Sequence, residues 1–87
     1  MNAVLHRLLE EFPEEVKGAN DYLDLADEAP VHGVHHGASH KLRSIARDEF
    51  THATAIREIL IASGITIPEE HQRMYCNLKE RIHLVNM

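Results

Sequence analysis

Tryptophan is absent from this chain of 87 residues, and only two phenylalanines and two tyrosines supply aromatic bulk. Its core must therefore be aliphatic, built from Leu, Ile, Val and Ala, which favours packed helices. A single cysteine, Cys76, excludes an internal disulfide and any four-cysteine iron or zinc centre within one chain, and it fits a reducing cytosol. Positive charge is also scarce. Nine Lys and Arg stand against fourteen Asp and Glu, a formal net charge of -5. That balance argues against a basic face for DNA, RNA or an anionic membrane surface, and makes cations the better partners. No apolar run reaches the ~18 residues of a membrane span, and no signal-type apolar region follows the start. The expectation is a cytoplasmic protein forming one domain over 1–87. A domain this small buries a limited share of its surface alone, so self-association is expected.

What is present is helical periodicity. From Leu5 the apolar positions Leu8, Leu9, Phe12, Val16, Ala19, Leu23 and Ala26 recur at intervals of three and four, while Glu10, Glu14, Lys17, Asp21 and Glu28 fill the opposite face. This spacing predicts a first helix over 3–29, which Pro13 is expected to kink, the alternative being that Pro13 starts a second helix. Pro30, Gly33 and Gly37 close it in a polar connection. A second helix over 38–63 has Leu42, Ile45, Ala46, Ala53, Ile56, Ile59 and Leu60 on its stripe and ends at Ser63 and Gly64, where glycine suits a left-handed cap. A third, over 67–85, reads from a capping box of Thr66 and Glu69, with Ile67, His71, Met74, Leu78, Ile82 and Val85 as its stripe. No segment alternates as a strand would, so the class is all-α.

Three residues break the apolar stripes. Glu15 lies between Leu8 and Tyr22 at the edge of the first, and Glu49 between Leu42 and Ile56 in the middle of the second, with His52 three residues further on. Inward carboxylates are costly unless they are paired or bind a metal. Glu-x-x-His brings both side chains to one side of a helix, where they can share an ion. Hard oxygen donors plus one nitrogen per metal are what a di-iron or di-manganese carboxylate centre needs, and this chain supplies half of that set. Two copies packed antiparallel would complete the site at a twofold axis. The competing reading is a buried ion pair of these acids with Arg43 or Arg57.

The pattern Glu15, Tyr22, Glu49 and His52, with the stretch RDEFTHATAIREIL around the last two, resembles the ferritin-like superfamily. Members carry a metal-bridging Glu seven residues before a Tyr on the first helix and Glu-x-x-His on the second. The resemblance covers residues 5–63 and is nearest to the short encapsulated-ferritin-like members that build their centre between subunits. It implies an antiparallel two-helix hairpin with a shorter C-terminal helix, completing a four-helix bundle by dimerisation. It implies metal ligation by Glu15, Glu49 and His52, support from Tyr22, two irons per dimer with manganese as the alternative, and oxidation of ferrous iron by dioxygen or peroxide. An encapsulin-type shell is a further implied partner, although no docking tail is read after Val85. Rubrerythrin-like peroxide scavenging, another di-metal oxidoreductase and a non-enzymatic helical oligomerisation module are the rival functions.

Other groups read as surface. Glu80 and His83 repeat the Glu-x-x-His spacing on the polar face of the third helix. His32, His35, His36 and His40 fall in or beside the glycine-containing connection, where a solvated loop is the expected reading and a soft metal entry or zinc site the alternative. Cys76 lies off the third stripe and reads as an inert thiol.

Overall fold

The computed structural model describes residues 1–85, and all three expected helices form: α1 (Ala3–Glu28), α2 (Ala38–Ala62) and α3 (Glu69–Val85). Val85 as a stripe position and the segment after it lie outside the described side chains. There is no strand among the described residues, and no helix is long and apolar enough to cross a membrane.

α1 starts where the Asn2 side chain accepts a hydrogen bond from the Leu5 amide at 2.8 Å. It runs through Pro13 as one helix, with Pro13 buried against the core. Its far end shows a compensation. Pro30 has no amide to offer the carbonyl of Ala26 one turn earlier, and the hydroxyl of Ser39, on the first turn of α2, donates to that carbonyl at 2.8 Å instead. The proline that loosens the end of α1 thus creates the acceptor that ties α2 to it.

The connection over 29–37 turns at Gly33, whose φ of 72° lies in the left-handed region. α2 ends in a Schellman motif. Gly64 has φ 74°, its amide donates to the Ile61 carbonyl at 3.0 Å, and the Ile65 amide donates to Leu60 at 2.9 Å. α3 begins two residues later than the capping box predicts. The amides of His71 and Gln72 donate to the Pro68 carbonyl at 3.0 and 3.1 Å, so Pro68, and not Thr66, precedes the first helical turn.

α1 and α2 pack as a hairpin through small residues: Ala19, Ala26, Ala46 and Ala53 are fully buried, which lets the two backbones approach closely. Phe12, Val16 and Leu60 fill the remaining space, and α3 closes one side of the hairpin with Tyr75, Leu78 and Ile82. Tyr75 stacks on Phe50 at 5.4 Å and meets Phe12 at 5.7 Å. Arg81 fixes the outer half of α3 to α1, donating to the Asn20 side chain at 2.9 Å and to Asp24 at 2.7 Å.

The other side of the hairpin is uncovered. Two positions assigned above to the core of α2, Ile45 and Ile59, are 39% and 47% exposed, and Leu25 of α1 is 48% exposed. The apolar stripe of each helix is wider than the surface its neighbours within the chain cover. Along this side runs a second seam with alternating spacings of three and four: Leu8, Glu11, Glu15, Gly18, Tyr22 and Leu25 on α1, and Leu42, Ile45, Glu49, His52, Ile56 and Ile59 on α2, of which Leu8, Tyr22 and Ile56 also pack partly against the core.

Candidate metal centre

The middle of that seam holds the site. Glu15 comes from α1, and Glu49 and His52 come from successive turns of α2. One donor atom from each, a carboxylate oxygen from either glutamate and an imidazole nitrogen, lies within 4.8 Å of the other two. Among the described residues this is the one group of three or more His, Cys, Asp or Glu donors so arranged. Its burial is graded. The Glu15 side chain is only 23% exposed, whereas that of His52 is 61% exposed and forms the outer rim.

The Glu15 Oε2 atom is the unusual one. It is buried and accepts no hydrogen bond. Its nearest cationic candidate, His52 Nδ1, is 3.6 Å away, beyond hydrogen-bond length. A buried oxygen left without a donor costs free energy, so such an atom requires an explanation. The neighbouring Glu49 carboxyl holds Glu15 above its ordinary value of 4.5; burial pushes in the same direction, and His52 opposes them.

The alternative ion pair with arginine does not form as expected. Arg57 donates to the Gln72 side chain at 2.9 Å and lies over the Tyr75 ring at 5.1 Å. Among the described residues Arg43 forms no ion pair with either acid. Tyr22 is half-buried on the same seam, and among the described hydrogen bonds none joins its hydroxyl to Glu15, Glu49 or His52.

Two features went unread in the sequence. Gly18 faces Glu49 across the helix pair, and a Cβ there would meet Glu49 Oε2 at 3.3 Å. A glycine inside a helix, one turn after an inward acid, was the available signal. Tyr75 is 5% exposed, and its hydroxyl shares a 2.8 Å hydrogen bond with Thr54. Its spacing of three and seven residues from the stripe positions Leu78 and Ile82 was the available signal.

The remaining expectations hold as surface features. His32, His35, His36 and His40 are exposed. His35 and His36 stack on each other at 4.4 Å, and His35 Nδ1 accepts from the Gly37 amide. Cys76, Glu80 and His83 are exposed and line an open groove of about 660 Å³ beside Phe50 and Leu84. Comparison of the chain with protein families, curated proteins and solved structures finds no match.

Proposed function

We propose that this chain is half of a carboxylate-bridged di-metal centre, completed by a second copy, that oxidises ferrous iron with dioxygen or peroxide. The observation that carries the reading is the convergence of Glu15, Glu49 and His52 within 4.8 Å around a buried carboxylate oxygen that no donor satisfies. Two carboxylates and one imidazole suit iron or manganese, whose preferred donors are oxygen and nitrogen. The unpartnered Glu15 oxygen, with its nearest cationic group 3.6 Å away, fits a cation better than it fits an ion pair.

Glu15, Glu49 and His52 would hold the metal, and bound iron supplies the electrons that the oxidant takes up. The two carboxylates neutralise the charge that grows as iron is oxidised. A cation binds the ionised form of Glu15, whose proton affinity is raised by Glu49 and by burial, so uptake competes with protonation there and strengthens as pH rises.

The uncovered seam supports a second copy as partner. A twofold axis through the Glu49 region would face each seam with its own reverse, covering Leu25, Ile45 and Ile59 and doubling the donor set. The same exposed side chains also favour a rival, a helical oligomerisation module in which the acids carry no metal.

Anaerobic titration of the apo protein with ferrous iron, followed by native mass spectrometry, separates the two. Saturation at two irons per dimer is expected, and Glu49→Ala abolishes it. Iron held by a monomer, or a dimer that takes up no iron, defeats the shared centre.

A further inference from the structure

We infer that Gly18 is a positioning residue of this centre: by lacking a side chain it leaves a notch in α1 that seats the Glu49 carboxylate beside Glu15. The inference rests on the metal reading above and adds to it the feature that sets how far Glu49 reaches.

A glycine in the middle of a 26-residue helix is unfavourable, because it gives up more conformational freedom than alanine would. Such a position is usually explained by close backbone packing or by a left-handed turn. Neither applies here. Gly18 is helical and has no positive φ. A Cβ built on it would meet Glu49 Oε2 at 3.3 Å and Glu49 Cδ at 3.7 Å, and no other residue beyond its own helix and chain neighbours within 4 Å. The space is therefore matched to one carboxylate. Glu15 sits one turn earlier on the same face of α1, so the notch brings the α2 carboxylate to the α1 carboxylate. A methyl group would require the Glu49 carboxylate to give way by a few tenths of an ångström, and a branched side chain would fill the notch.

The test compares wild type, Gly18→Ala and Gly18→Val in anaerobic titrations with ferrous ion and, separately, manganous ion. Ions per chain are read by native mass spectrometry and affinity by calorimetry, with thermal melting of each apo protein alongside. Affinity is expected to fall about tenfold or more and further for Val than for Ala, the range seen when groups that orient metal ligands are disturbed. The apo melting temperature of the Ala variant is expected to equal or exceed that of wild type, since alanine is the better helix former. A glycine with a merely structural role would give the reverse, a lower apo melting temperature and unchanged affinity, and that result overturns the inference. Wild-type affinity in the Ala variant overturns it also. Absence of uptake by wild type defeats the metal reading itself and this inference with it, whereas normal loading of all three proteins defeats only the role of Gly18.

Discussion

At the scale of single residues the strongest statement concerns Glu15. Its folded-state affinity for a proton is raised by Glu49 and by burial. A raised carboxyl contributes stability that is fully present below its unfolded value and is lost as pH rises through the folded value. The apo protein should therefore lose this contribution on going up in pH from about 4.5, its ordinary value. Denaturant melts of wild type and Glu15→Gln across that range check this: the stability of wild type relative to the variant should fall as pH rises. A difference that stays flat or climbs would show that Glu15 holds no extra proton. By the same logic Glu49→Ala should stabilise the apo form above this range by removing one of two adjacent acids, and saturating metal should stabilise only the wild type. Phe12 makes a different kind of contribution. It is fully buried and touches Tyr75, so Phe12→Ala should cost about 3–5 kcal/mol in chemical denaturation.

At the scale of elements, helix ends matter more than helix propensity. The Ser39 hydroxyl supplies the donor that Pro30 cannot. Ser39→Ala should leave the Ala26 carbonyl buried without a partner and cost about 1–3 kcal/mol. Pro30→Ala restores an amide there, so the Ser39→Ala penalty should shrink in that background, and a double-mutant cycle measures the coupling. Additive effects would mean that the two groups do not serve the same carbonyl. Gly64 holds φ 74° at the end of α2, and Gly64→Ala should cost about 1–2 kcal/mol for left-handed backbone. The exposed helix pairs His6–Glu10, Arg7–Glu11 and Arg73–Glu69 are solvated and contribute little.

At the scale of the molecule the hairpin has two faces and α3 covers one. Arg81 is the polar fastening of that cover, and Arg81→Met should speed amide exchange in α3 around Leu78 and Ile82 more than in α1 or α2. The other face carries Glu15, Glu49 and His52 among exposed apolar residues. If a second copy covers it, Ile59→Lys should give a monomer in native mass spectrometry and lower metal stoichiometry with it, although Ile59 is not a ligand. A lysine variant that remains dimeric would locate the interface elsewhere.

The sequence alone determined the helices, because periodicity, glycine and proline act locally, and the observed ends fall within two residues of the expected ones. It also singled out Glu15, Glu49 and His52, since an acid on an apolar stripe conflicts with its surroundings wherever the chain folds. Only the tertiary structure decided which part of each stripe is buried. Ile45 and Ile59 follow the same period as Ala46 and Ala53, yet α3 packs over one side of the hairpin and leaves the other open. The burial of Tyr75, the bond from Ser39 to Ala26 and the notch at Gly18 were likewise decided by contacts between helices, and a distance between two helices is not written in the spacing along either one.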